Sequence, residues 1–459
     1  MADIPIWIEH LNNQPNFTPM PENQKAPVVS KSVLVPFILI TSLFALWGFA
    51  NDITNPMVSA FKKILELNNT QASWVQAAFY GGYFTMALPA AYIVKKYSYK
   101  RGIIFGLVLY ATGALLFFPA TAMENYFFFL LALYILTFGL AFLETTANPY
   151  IMAMGDEETA TQRLNLAQAF NPLGALSGLF VAQTFILGAL QSDDVDANGN
   201  SIYETLSETA KAAVKTSDLT VIRNPYVALG IFVLVMLVVI SVVKMPEKKE
   251  DKNSVGLWDS IKRIFKKERF VGGVLSQMFY VGAQIMCWTY IYQYAENLGI
   301  DNRNAVNYAY AALGIFLAGR FLCTYLLKFI NSGKLLMLLA MLAIVFCSGA
   351  IFIEGMTGLY SLVMVSFCMS LMFPTIYGIA LNGLGDDAKA ASAFLVMAIV
   401  GGAFMPILQG LILDIGGSGY ADVRILGVPE VNFSFILPLS CFLIVGIYGY
   451  RTFKVYSKA

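Results

Sequence analysis

MPEKKEDKNSVGLWDSIKRIFKKE, from Met245 to Glu268, is the stretch that decides how this chain is organised. It is strongly basic, with Lys248, Lys249, Lys252, Lys262, Arg263, Lys266 and Lys267, and long apolar runs stand on both sides of it. Working outward, six runs precede it, near residues 33–60, 71–94, 102–122, 126–153, 161–189 and 223–244. Six follow, near 270–295, 304–327, 335–353, 358–382, 390–413 and 432–450. Each is long enough to cross about 30 Å of hydrocarbon as a helix. A second long break, Gln191 to Ile222, is acidic, with Asp193, Asp194, Asp196, Glu204 and Glu208. The basic break divides the runs six and six, so it reads as the linker between two halves.

Composition supports a membrane protein. Of 459 residues, 58% are hydrophobic, and only 30 are basic and 29 acidic. A soluble protein is nearer half apolar with about a quarter of its residues charged. Twelve helices of about 20 residues each need about 240 residues, which this chain supplies. Continuous runs, in place of alternating ten-residue segments, exclude a β-barrel. A net charge of +1 without a basic stripe excludes a nucleic-acid partner. The one histidine, His10, lies in the polar tail, which argues against a histidine-held metal. Cys287, Cys323, Cys347, Cys368 and Cys441 sit in apolar runs without CxxC spacing and read as small core hydrophobes. No GxxxxGK[ST], HExxH or GxSxG motif is present, so the chain reads as neither an ATPase nor an enzyme, with no cofactor.

Lys and Arg set the orientation. With the N-terminus inside, 22 fall on the inner side and 7 on the outer, and Arg320 lies within a span. The positive-inside rule then places both termini and the linker in the cytoplasm. The expected architecture is all-α, with twelve transmembrane helices in two pseudo-symmetric halves. Its parts are a tail (1–31) that does not read as a cleavable signal peptide, a first half (32–244), the linker (245–268) and a second half (269–459). A weak repeat relates the halves. The turn from Lys95 to Gly102 corresponds to that from Lys328 to Lys334, and Pro149 in span four corresponds to Pro374 in span ten. Two such halves suit a transporter that rocks around a midplane site.

Ionisable residues at membrane depth are costly and mark function. Asp52 lies eleven residues before Lys63, about 16 Å of helix, with Asn55 on the same face. It also suits a hydrogen-bonding role at a Pro-weakened helix end. Glu144 lies twelve residues before Asp156, near mid-depth, with Asn148 one turn on. Gln168 follows Asp156 by twelve residues and returns to nearly the same depth. Asn165, Gln168 and Asn171 then form an amide stripe on span five. Amides facing a carboxylate suit a ligand whose hydroxyls both donate and accept, although amides also bridge membrane helices. A carboxyl held away from water can exchange a proton near neutral pH, so protons are the first candidate for the driving ion. Gln284, Trp288 and Tyr292 share a face of span seven, where Trp288 could stack on a sugar ring. Asn51, Gln76, Tyr80 and Tyr83 are further cavity candidates. Arg320, eight residues before Lys328, reads as a gating or structural group, as do Lys100 and Arg101 in the basic turn.

These stretches resemble one family. The run Trp47 to Pro56, Gln76 to Phe84, Tyr99-Lys100-Arg101-Gly102, the LETTANPY run from Leu143 to Tyr150 and the RLNLAQAFN run from Arg163 to Asn171 are similar to the fucose–proton symporters of the major facilitator superfamily. So is Tyr280 to Gln284, followed by Cys287-Trp288. The resemblance covers residues 33 to 450. It implies a twelve-helix alternating-access fold and proton-coupled uptake of a hexose or deoxyhexose across the inner membrane by a monomer. It implies that Glu144 is a working carboxylate and that Gln168 and Asn171 contact sugar. On span one the family has Asn followed three residues later by Asp. Here Asp52 is followed by Asn55, which moves the carboxyl by one turn, about 4.5 Å. An antiporter on the same fold, or a sensor without turnover, are the other readings.

Overall fold

The computed structural model describes residues 27–54, 60–61, 64–67, 69–194, 202–246, 256–300, 302–413, 415 and 423–456. Twelve helical rods account for most of them. In chain order they are α1 Leu34–Thr54, α2 Asn69–Lys96, α3 Tyr99–Met123, α4 Tyr126–Ala153, α5 Glu157–Ala189 and α6 Glu208–Val242. The second set is α7 Glu268–Asn297, α8 Asn302–Leu326, α9 Ser332–Phe352, α10 Met356–Leu381, α11 Gly385–Leu413 and α12 Glu430–Val455. A twelve-helix chain with its linker between α6 and α7 has its terminal segments and linker on one face, here called the linker side. The opposite face is the far side.

Eleven of these rods are both long and apolar enough to cross a bilayer. α2 has the length, 28 residues, but its first half carries Asn69, Thr70, Gln71, Ser73, Tyr80 and Tyr83. Such a helix is tolerated at membrane depth where its polar face turns to protein or a wet cavity. The acidic break differs from its sequence reading. α6 starts at Glu208, well before the expected residue 223, because Ser207 accepts from Ala210 N (3.4 Å) and caps a polar extension.

Several rods are interrupted. α5 turns at Ala169–Phe170 before Asn171–Val181, and α10 breaks at Ser370–Leu371 before Met372–Leu381. Pro172 and Pro374 follow these breaks, each lacking the N–H that would continue the ladder. Glycines let α1 and α5 touch backbone to backbone. A Cβ at Gly48 would stand 2.1 Å from Asn171 O, and one at Gly174 1.8 Å from Ala45 O. With no hydrophobic drive between helices in lipid, such close packing is what holds them.

Buried apolar side chains form two clusters. One joins α1–α6 and reaches into α10 and α11 through Tyr377, Ala380 and Ala391. The other lies within α7–α12 and contains all five cysteines. The described end of the linker is a helix, Leu257–Ile264, with Ser260 and Ile264 buried. It is clamped across the molecule's seam on the linker side. Arg263 donates twice to Asp387 (3.0 and 2.6 Å), and Lys95 of α2 reaches Ser260 Oγ and stands 3.9 Å from Asp387.

Candidate functional site: a cavity between the halves

Asn51 and Asp52 lie near the far-side end of α1, beside α2. On α2, Tyr80 and Tyr83 lie three residues apart, so they share a face and differ in depth by about 4.5 Å. Asp52 has Tyr80 and Tyr292 of α7 as its electrostatic neighbours. Glu144 has Tyr83 and Tyr377 of α10. One turn of α2 therefore separates the settings of the two carboxyls, and each setting includes a tyrosine from the second half. Among the described residues neither carboxyl is in an ion pair.

Asp52, Tyr80, Trp288 and Tyr292 line a cavity of about 1190 Å³, together with Phe84, Gln183, Leu313 and Phe404. All the lining residues come from the far-side portions of α1, α2, α5, α7, α8 and α11. The cavity belongs to the far side, and its walls are mainly apolar with a few polar groups, the usual make-up of a small-molecule site. Trp288 is fixed within it. Its Nε1–H donates to Ser366 Oγ (3.1 Å), and its ring meets Phe316 edge-on at 5.1 Å. Gln284, on the same face of α7, is half-buried but is not part of the lining.

The amides around Glu144 are chained. Asn148 Nδ2 donates to the Glu144 backbone carbonyl (2.9 Å), and Asn148 Oδ1 accepts from Gln168 Nε2 (2.8 Å). Glu144 is 4% exposed. Asn171 has a different task, since its Nδ2 donates to Phe44 O of α1 (3.2 Å). Asn165 donates to Thr375 Oγ1 of α10 (3.1 Å). The amide stripe of α5 therefore divides into one member facing Asn148, one holding α1 and one crossing to the second half. Thr145 Oγ1 is buried without a hydrogen-bond partner, and the buried Tyr83 hydroxyl has Asn51 of α1 as its polar neighbour. Leaving such a group unpaired costs about 1–3 kcal/mol, so positions that keep them are positions where a hydroxylated ligand gains. Asn55 lies outside the described residues.

Arg320 is buried and spans the seam. Its Nη1 donates to Gln168 O of α5 (3.2 Å), and its guanidinium stacks on Phe316 at 4.8 Å. Lys100 closes the linker-side end of α6, donating to Ser241 O (2.8 Å) and Val243 O (2.9 Å), which are helix-end carbonyls without internal donors. Arg101 lies over the Tyr97 ring at 5.4 Å. Further contacts close the linker side between the halves: Gln162 Nε2 to Thr324 O (3.2 Å) and Gly383 N to Glu157 Oε1 (2.7 Å). The molecule is thus open between its halves on the far side and closed on the linker side. Sequence reasoning missed Tyr377, although the run Phe373-Pro374-Thr375-Ile376-Tyr377 carries a helix breaker beside a polar aromatic. It also missed Asp387, whose role depends on Lys95 and Arg263, both remote in the chain.

Comparison with known proteins agrees with this fold. Residues 38–406 match the Major Facilitator Superfamily. The chain is 53% identical to the L-fucose-proton symporter of Haemophilus influenzae, over 94% of this chain and 99% of that one. It is 35% identical to the L-fucose-proton symporter of Escherichia coli, over 92% and 93%. A crystal structure of the Escherichia coli fucose:proton symporter superposes with a TM-score of 0.81 at 33% identity, covering 92% of this chain and 99% of that one. The chain belongs to the Major Facilitator Superfamily, within its family of fucose–proton symporters.

Proposed function

We propose that this chain imports L-fucose, or a hexose closely related to it, together with a proton by alternating access. It is a transporter and not an enzyme. The observation that carries the mechanism is the setting of Glu144: a carboxyl buried at mid-depth, in no ion pair among the described residues, beside a chain of amides and tyrosines from both halves. The 53% identity to a protein named as an L-fucose-proton symporter supports the substrate.

Under the Lys and Arg asymmetry, the linker side faces the cytoplasm of a bacterial inner membrane and the far side faces out. The described state is then the one that admits sugar from outside. Sugar passes the Trp288 wall and reaches the groups around Glu144, where Gln168, Asn148, Asn171 and Tyr83 offer donors and acceptors to its hydroxyls. Asn55 and Gln284 complete the assigned set. A charged carboxyl is costly to enclose in the membrane, so a proton on Glu144 or Asp52 removes that cost before the halves close over the ligand. The two halves, residues 32–244 and 269–459, act as the rocking bodies of a monomer in the bilayer.

Proteoliposomes test this directly. A pH gradient, acid outside, should concentrate labelled L-fucose, and Glu144→Gln should abolish that accumulation while leaving sugar exchange without a gradient. Accumulation by the Glu144→Gln variant would overturn the coupling role. Loss of preloaded sugar on energisation would instead identify an antiporter, and absence of counterflow a sensor.

A further inference from the structure

Two prolines of the first half each strip a backbone carbonyl of its helical donor, and in both cases the second half supplies the replacement. In an α-helix the N–H of residue i bonds the carbonyl of residue i−4. Pro149 therefore leaves Thr145 O without a donor, and Pro172 leaves Gln168 O without one. Ser392 Oγ of α11 donates to Thr145 O at 2.7 Å. Arg320 Nη1 of α8 donates to Gln168 O at 3.2 Å. Ser392 has one hydroxyl hydrogen and a second acceptor in its own helix, Lys389 O at 3.0 Å, so the longer bond is the one within the helix. Ser392 and Thr145 are fully buried and Arg320 nearly so.

We infer that these two carbonyls are latch sites that hold the linker side closed, with Ser392 and Arg320 as the positioning residues. This rests on the transport reading above. At membrane depth an unpaired carbonyl has no water to turn to, so each proline creates an acceptor that is satisfied only while the halves touch. When the linker side opens, water fills the gap and can take over from Ser392 and Arg320. The closed state is favoured where the seam is dry, and the bonds can be exchanged for water when it is wet. Ordinary surface contacts such as Glu157 with Gly383 do not carry this dependence, because their groups can reach solvent in either state.

The latch is testable through conformation. Ala153 lines a linker-side cleft of about 820 Å³ together with Pro149 and Lys389, and Ala403 lines the far-side cavity. Cysteines introduced singly as Ala153→Cys and Ala403→Cys report each side through their reaction with a membrane-impermeant maleimide, the unsubstituted protein serving as the blank. Ser392→Ala removes one donor. Pro172→Ala restores a helical N–H to Gln168 O and makes Arg320 redundant there. Each should raise labelling at position 153 and lower it at 403 by about three- to ten-fold, the worth of one net hydrogen bond. Ser392→Thr, which keeps the hydroxyl, should restore the parent rates. Ser392→Ala and Pro172→Ala proteins that melt like the parent yet label like it at both positions would overturn the latch. The rates are read without sugar, so the outcome does not depend on which substrate is carried.

Discussion

Arg163 shows how much a single residue can organise at the end of a membrane helix. Its side chain is fully buried and donates to Ile151 O (2.8 Å), Val28 O (3.2 Å), Asp156 O (3.2 Å) and Thr159 Oγ1 (3.0 Å), and also to Met152 O. These are mostly carbonyls at the α4–α5 turn that the helix cannot satisfy itself. Arg163→Met should therefore destabilise the protein by more than about 3 kcal/mol, read as a lowered melting temperature in detergent, because several acceptors become orphans at once. Arg163→Lys keeps the charge but only part of the fork, so it should fall between. Tyr83 tests the ligand side. Its buried hydroxyl has only a long contact with Asn51 of α1, so Tyr83→Phe should lower the melting temperature by no more than about 2 °C in the absence of sugar. If the hydroxyl binds sugar, the same change should weaken binding by about three- to ten-fold in calorimetry. Unchanged affinity would remove Tyr83 from the site.

Among the elements, α1 and α5 are packed through glycine, as are α3 with α4 and α7 with α11. Gly174 faces Ala45 O so closely that any side chain must push the helices apart. Gly174→Ala should cost about 1–3 kcal/mol, the usual penalty of overpacking, and reduce transport with it. Gly314 of α8 has nothing within 4 Å of an added Cβ, so Gly314→Ala is the matched control and should be near neutral. α2 is the other instructive element. Hydropathy alone ranks it below a membrane span, and its polar face is the one that carries Tyr80 and Tyr83 toward the two carboxyls. Its place as span two was legible from its length between two turns. Which of its polar groups face the cavity was not, because that is set by the rotation of α2 against α4 and α11.

Across the whole molecule, the linker is part of the closed state. Asp387 at the start of α11 accepts from Arg263 of the linker helix and lies near Lys95 of α2, so one carboxylate ties the first half, the linker and the second half together. Asp387→Asn removes the charge that Lys95 and Arg263 share and should raise maleimide labelling at Ala153→Cys, with a fall in the rate of sugar uptake. If labelling stayed at the parent level, the tie would be incidental to closure. The state described here closes at the linker side through α4, α5, α8, α10 and α11. For that reason the first hydrophobic cluster reaches beyond its own half into Tyr377 and Ala391.

The sequence by itself determined the number of helices and their order, and it set the expected six-and-six division and the expected depth of Asp52, Glu144 and Arg320. These follow from apolar run length and the cost of charge in hydrocarbon, both local properties of the chain. Only the tertiary structure decided that Glu144 sits with Tyr83 and Tyr377, that Asn171 holds α1, and that Ser392 meets Thr145 O. Such pairings join residues about 60 to 250 positions apart, and helix rotation and the packing of glycine faces set them. The basic stretch from Met245 to Glu268 shows both sides of this division. Its charge and position marked the seam, while its tie to Asp387 required the fold.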